Sequence, residues 1–243
     1  MTNIKGKWAL VTGASRGMGR QAAKFLAEQG CNVILHSRSL EHTASLAEEI
    51  KSLGVEVCSV AAELSDLGQV SAMLAQINAL GHQIDIVLNN AAVQIAYRTD
   101  YLTTPAEDYT VSFAINTTAP MMICYHFLPG MIERGFGRIV NTTSGIDKEP
   151  QQAGYSASKA ALDKVTRDLG TTVEGTDVII SLADPGWCRT DLGGPNAPNS
   201  VESAMPGIVL GVFVDDGKSG RIFHAQDYSG MTLEQAVAAV NGK

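Results

Sequence analysis

Aromatic residues are scarce in this 243-residue chain, 6% against 45% hydrophobic overall. A core of that make-up is aliphatic, which suits strands sandwiched between helices. Positive charge is also short: 18 Lys and Arg face 25 Asp and Glu, a formal net charge of -7. Such a surface repels backbone phosphates, and no basic stripe offsets it, so no nucleic-acid partner is expected. Cysteine forms no framework. Cys31, Cys58, Cys124 and Cys188 are widely spaced without a Cys-x-x-Cys pair, and the five His are dispersed. Scattered reduced thiols, a cytoplasmic setting and no metal are the expectations. No apolar run reaches membrane-spanning length, and Trp8 to Val11 is too short for a signal-peptide core, so no membrane partner or targeting is expected. No Pro/Ser-rich linker or charge block divides the chain, which reads as one domain over residues 1–243.

What is present is an alternation of short apolar runs with stretches of helical period, the pattern of crossovers between parallel strands. Strands are expected at Trp8 to Thr12, Asn32 to His36, Val55 to Val60, Ile84 to Leu88, Arg138 to Thr142, Val178 to Ala183 and Arg221 to His224. Met18, Ala22, Phe25 and Leu26 make one helical face that stops at Gly30, and two more such faces stop at Gly54 and Gly81. Thr104-Pro-Ala-Glu107 and Thr232-Leu-Glu-Gln235 have the spacing of capping boxes, the first with Pro at the opening helical position. Gln151 to Glu174 predicts a helix whose small residues Ala153, Ala157, Ala160 and Ala161 would pack on the sheet or on a second copy. The Gly, Pro and Asn-rich stretch Gly193 to Ser200 predicts a mobile loop. It belongs to a substrate lid around 190–210, which Pro206-Gly207 would divide into two short pieces.

After the first strand, Gly13-x-x-x-Gly17-x-Gly19 leads directly into a helix. Without side chains the turn can approach a pyrophosphate, whose charge the helix start attracts. A tight structural turn is the bland alternative. An S-adenosylmethionine site would show an acidic residue ending the second strand. That strand ends His36-Ser37-Arg38, with no Asp or Glu before Glu41. Arg38, and Arg16 within the turn, suit a 2′-phosphate, so the cofactor is expected to be NADP(H), unless Arg38 is merely solvated. Further on, Tyr155 and Lys159 stand four residues apart, on one helical face. A phenol with a pKa of roughly 10 exchanges protons poorly at neutral pH unless its anion is stabilised, and an adjacent ammonium provides that charge.

Taken together, Thr12-Gly13-Ala-Ser-Arg-Gly17-Met-Gly19, Asn89-Asn90-Ala91-Ala92, Asn116, Ser144, Tyr155 with Lys159, and Pro185-Gly186-x-x-x-Thr190 resemble the classical short-chain dehydrogenases/reductases. The resemblance implies a single-domain, doubly wound Rossmann fold, a seven-stranded parallel sheet with helices on both faces. It implies a tetrad of Asn116, Ser144, Tyr155 and Lys159, with Asn90 holding the central strand and Thr190 meeting the nicotinamide carboxamide. Ser15, Met18, Glu63, Leu64, Ala91, Ala92, Pro185, Gly186 and Trp187 are the remaining cofactor contacts it implies, and a homodimer or homotetramer the implied assembly. Ala92 stands where the family usually has Gly, Glu63 where it often has Asp, and the segment from Ser144 to Tyr155 is shorter than is common.

Gln94, Ile95, Gly145 and Trp187, with the Gly193 to Ser200 loop, are expected to line a mixed substrate pocket without a strong anion clamp. Asp184, before Pro185, reads as a turn residue more readily than as an ionised group near the nicotinamide. Cys188 reads as a small buried side chain more readily than as an oxidisable thiol. The expected activity is NADPH-dependent reduction of a ketone or aldehyde, with Tyr155 giving the proton and the reverse being alcohol oxidation. A 3-oxoacyl carrier-protein reductase is the neighbouring alternative. A non-catalytic NADP(H)-sensing or interaction protein on the same fold is the alternative of another class, but it need not keep both phenol and ammonium.

Overall fold

The structure, a computed structural model, describes residues 1–242 of the 243. Seven strands form it: β1 (Trp8–Val11), β2 (Asn32–Ser37), β3 (Val57–Ala61), β4 (Ile84–Asn89), β5 (Gly137–Thr142), β6 (Val178–Asp184) and β7 (Ile222–His224). All pair in parallel, in the order β3-β2-β1-β4-β5-β6-β7. The helices are α1 (Gly17–Glu28), α2 (Ala44–Lys51), α3 (Leu67–Ala79), α4 (Ala106–Phe113), α5 (Ala119–Arg134), α6 (Ala153–Thr171), α7 (Leu210–Phe213) and α8 (Leu233–Asn241). Among the described residues, no helix is long and apolar enough to cross a membrane.

The strands are continuous apolar runs because both faces are covered. Ala9 and Val11 of β1 point into one core with Leu26, Phe213 and Val237. Trp8 and Leu10 point into the other with Met73, Phe127 and Leu162. Successive side chains of a strand thus feed two separate layers. Gly30, Gly54 and Gly81 each end a helical stretch at positive φ, +81°, +81° and +73°, in agreement with the sequence. The chain winds β1, β2, β3 in one direction and then returns to set β4 on the other side of β1. That reversal opens a crevice at the carboxyl ends of β1 and β4, the place where such sheets bind ligands.

Four expectations are corrected. β3 and β7 start later than expected, at Val57 and Ile222. Thr104 makes no capping box: its hydroxyl donates to the Tyr101 carbonyl at 2.8 Å, closing the turn before it, and Pro105 takes the N-cap position. The Thr232 box does form, with reciprocal bonds of 2.9 and 3.2 Å to Gln235. The alanines of α6 do not face the sheet. Its buried face is Gly154, Tyr155, Ser158, Lys159, Leu162 and Thr166, and Ala160 is exposed.

The fourth correction concerns the lid. Pro206-Gly207 does separate two short turns, Glu202–Ala204 and Gly207–Val209. From Ala204 to Phe213, however, the chain is almost entirely core, with Ile208, Val209, Leu210 and Phe213 each at most 1% exposed. Only the part before it can cover a ligand. There the loop is cross-linked: Arg189 Nη1 donates to the carbonyls of Ala197 and Pro198 at 2.9 and 2.8 Å. Phe213→Ala should therefore act as a core deletion, lowering stability by about 3 to 5 kcal/mol in urea unfolding; a loss under about 1 kcal/mol would return this segment to the surface.

Candidate active site

At the crevice, Thr12 ties the two central strands together. Its hydroxyl oxygen accepts the N–H groups of Asn90 and Ala91, both at 3.0 Å, while the Asn90 amide donates to the Thr12 carbonyl at 3.1 Å. The glycine turn packs directly on this knot. Gly13 has φ +67°, and a Cβ there would stand 2.9 Å from the Ala91 Cα; one at Gly19 would stand 2.2 Å from the Gly13 carbonyl oxygen. Only glycine fits both positions, and the result is a cradle with no side chain filling it. Thr190, in the loop after β6, is brought over Gly17, its methyl 3.3 Å from where a Cβ would be.

His36, which the sequence marked only as the end of β2, is part of this turn. Its Nδ1 accepts the Gly13 N–H at 3.4 Å and its Nε2 meets the Ala62 carbonyl at 3.1 Å. Those partners select the neutral ring with hydrogen on Nε2, and burial lowers the imidazole pKa in the same sense. Arg38 is exposed at the mouth of the turn. Arg16 forms a 2.8 Å ion pair with Asp191, both side chains well exposed. Ser15 is half-buried beside them. Met18 and Leu64 send their side chains into the two cores, leaving only their backbones to face a ligand. Glu63 accepts the Ser65 N–H at 3.1 Å, and Ala92 lies half-buried after Ala91.

The second half of the site is a row of contacts between α6 and the exit of β5. Asn141 donates to Thr166 at 2.9 Å, Lys159 Nζ donates to the Thr142 carbonyl at 2.7 Å, and the Thr143 hydroxyl donates to Asp163. Ser144 follows, with Tyr155 beside it at the start of the same helix face. Lys159 is 2% exposed. Burial lowers its pKa to about 8, against the opposing pull of Asp163. Burial also raises the Tyr155 pKa; the Ser144 hydroxyl opposes this and the charge of Asp184 adds to it. The phenol is thus protonated at neutral pH, one helical turn from an ammonium whose pKa burial brings towards neutrality.

Asn116 sits in a π-helical turn, Ala114–Thr118, that joins α4 to α5. Such turns gather at functional sites. Its amide group is fully occupied, donating to the Val93 carbonyl at 2.9 Å and Ser158 at 3.0 Å, while its Oδ1 accepts the Val93 N–H at 2.9 Å. The side chain therefore clamps the chain after β4 onto α6. Asp184 makes the expected turn, accepting the Gly186 N–H at 2.9 Å, but its second oxygen points at Gly145, 2.9 Å from where a Cβ would be. It lies near the phenol, and the sequence reading left it without a role. Cys188 is buried, 5% exposed.

The expected pocket residues lie on three loops at this edge. Ile95 is tied to the α6 entrance through its carbonyl, which accepts from Gln152 at 3.0 Å. Gln94 and Gly145 are exposed. Trp187, after Pro185 and Gly186, is 59% exposed, with its indole N–H on the Gly193 carbonyl at 2.7 Å.

This arrangement has known counterparts. The short chain dehydrogenase family profile matches residues 7–200. The chain belongs to the short chain dehydrogenase family. A very-long-chain 3-oxoacyl-CoA reductase of Anas platyrhynchos is 34% identical over 199 residues, 80% of this chain and 64% of that one. The inactive hydroxysteroid dehydrogenase-like protein 1 of Pongo abelii is 32% identical over 195 residues, 79% and 59% of the two chains. The chain spans between 59% and 66% of the length of such curated relatives. Among solved structures, a metagenomic short-chain oxidoreductase in complex with NADP is 31% identical with a TM-score of 0.70, covering 76% of this chain and 84% of its own. An NAD+-bound xylitol dehydrogenase shares the fold at TM-score 0.80 and 22% identity, over 91% and 98% of the chains.

Lys159 also sets a stability cost. The unfolded chain holds the lysine proton to about 10.5, whereas the folded chain releases it at about 8. Between those values the unfolded state binds more protons, so this group makes stability rise with pH there and weighs against the fold below pH 8. Lys159→Met should therefore unfold about 1 to 3 kcal/mol later than the wild type at pH 7, with the difference shrinking towards pH 10. Denaturant titrations at the two pH values check this, and a variant less stable at pH 7 would contradict it.

Proposed function

We propose that this protein catalyses the reversible, NADPH-dependent reduction of a ketone or aldehyde, with Tyr155 as general acid. One observation carries the reading: the buried Lys159 ammonium lies one helical turn from a phenol that burial keeps protonated. An ammonium has three donors. One is spent on the Thr142 carbonyl, leaving two for a ribose hydroxyl and for the phenolate that forms as Tyr155 gives up its proton. Ser144 accepts the Ile146 N–H at 3.2 Å, and its O–H, which faces the phenol, would turn to the substrate oxygen as negative charge builds there. Asn116, held by Val93 and Ser158, would complete a water-linked proton path to Lys159.

The glycine cradle fits a dinucleotide. Gly13, Gly17 and Gly19 would hold the pyrophosphate, Asn90 to Ala92 and Thr190 the nicotinamide half, and Arg38 and Arg16 the 2′-phosphate. Bound there, NADPH supplies the reducing equivalent. The preference for the phosphorylated form rests on Arg38 and on the absence of an acidic residue at the end of β2. Arg16 would have to exchange Asp191 for the phosphate, a swap of one exposed ion pair for a charge-assisted contact. We place the protein in the cytoplasm as a homodimer or homotetramer formed through α5 and α6. Tyr125 of α5, 59% exposed, stands there between an apolar groove on Leu74 and Met122 and another on Val165 and Leu169.

The 3-oxoacyl reductase reading draws on the Anas platyrhynchos relative, and the non-catalytic reading on the inactive one. Phenol, ammonium and serine hydroxyl are all present here, which favours catalysis over sensing. Turnover of a ketone and aldehyde panel with NADPH and NADH tests the reading. Tyr155→Phe should lose at least about a hundredfold in kcat while still binding NADPH. Arg16→Ala with Arg38→Ala should lose the preference for NADPH, at about 1.5 to 3 kcal/mol per charge-assisted contact. Retained turnover in the first variant removes Tyr155 from the chemistry, and an unchanged cofactor ratio in the second removes the 2′-phosphate assignment.

A further inference from the structure

The three loops that surround Tyr155, residues 90–105, 144–152 and 184–199, carry five carboxylates and three cations. Two of the cations are engaged within the protein, and the third, Lys148, is solvated. Arg98 grips Asp108 through two nitrogens at 2.7 and 2.9 Å. Arg189 is turned onto the carbonyls of its own loop, and Lys148 stands 3.9 Å from Asp147. One of the five carboxylates, Asp184, lies on the inner side, aimed over Gly145 with His224 Nδ1 3.4 Å from the same oxygen, and close enough to act on the phenol. A carboxylate, phosphate or acidic carrier protein arriving here meets net repulsion and no preformed clamp, with the solvated Lys148 its one accessible cation.

Several polar side chains at this edge are committed, although Gln94 and Asn196 stay exposed and the Gln152 Oε1 has no partner. Gln152 is bound to the Ile95 carbonyl, Asn199 to the Trp187 carbonyl at 3.0 Å, and Gln226 to the Pro185 carbonyl at 2.8 Å. Large apolar side chains are on display beside them. Tyr97 is 61% exposed, Leu102 83%, Trp187 59% and Leu192 42%. Trp187 has spent its N–H on the Gly193 carbonyl, so it offers only its ring. A site for a polyhydroxylated substrate needs several convergent hydrogen-bonding groups; this rim supplies apolar faces instead.

We infer that the substrate is a neutral, apolar carbonyl compound carrying an aromatic or alicyclic group, which packs on Trp187 while its carbonyl oxygen reaches Ser144 and Tyr155. This rests on the carbonyl-reductase reading above. It separates the protein from reductases of anionic 3-oxoacyl thioesters and of sugars, which the reaction chemistry alone does not.

The test uses four probes with NADPH: methyl 4-acetylbenzoate, the matching 4-acetylbenzoate anion, acetoacetyl-CoA and fructose. The ester should exceed each of the others in kcat/KM by at least about tenfold, the size of one lost or repulsive contact. Trp187→Ala should raise the KM for the ester several-fold with little change in kcat. Equal or faster turnover of the anion, the thioester or the ketose overturns the substrate class while leaving the reaction standing. An unchanged KM in Trp187→Ala overturns the role of the rim. If no probe is reduced although NADPH binds, the carbonyl-reductase reading itself falls, and this proposal with it.

Discussion

An ammonium buried against the end of a β-strand governs this molecule. Lys159 donates to the Thr142 carbonyl at 2.7 Å and is 2% exposed, in a position that water would otherwise stabilise far better. Holding it there requires α6 to lie tightly along the exit of β5, and the neighbouring contacts do this. Thr166 takes Asn141 one side of it, and Asp163 takes Thr143. With α6 and β5 locked in that register, Tyr155 and Ser144 have no freedom to be anywhere but side by side. The charge that disfavours the fold is the same charge that the proposed function assigns to the support of the phenol.

The cradle and the proton machinery meet because every strand is parallel. All seven carboxyl ends lie at one edge, so the turn after β1, the knot of Thr12 and Asn90, the row after β5 and the loop after β6 converge there. Convergence also lets distant segments constrain each other. Thr190 rests over Gly17, His36 accepts the Gly13 N–H, and Asp184 reaches across to Gly145. These contacts join residues that are remote along the chain, which is why a rigid sheet serves as their platform.

Much of this was legible in the sequence. Apolar runs marked the strands because helices cover both faces, and positive-φ glycines marked where helices stop. The motif residues lie at the carboxyl edge of the sheet, and the Tyr155–Lys159 spacing alone placed both side chains on one face. That spacing also held an unread consequence. At about 3.6 residues per turn, turning Tyr155 and Lys159 inward turns Ala160 outward, so the alanines do not pack on the sheet. Other features had no local signal. Pro206 and Gly207 look like a loop, yet Ile208 to Phe213 are core because the sheet and α1 need covering. Pro105 displaced the capping role from Thr104. His36 and Asp184 act through partners far away in sequence, and no periodicity reports such contacts.

The most direct measurement is an NMR titration of Lys159, its side-chain carbon labelled and assigned against Lys159→Met. A midpoint at about 8 would establish a buried ammonium ready to exchange its proton beside the phenol. A midpoint near the ordinary lysine value of 10.5 would mean that the side chain is solvated and the register of α6 on β5 is not as described.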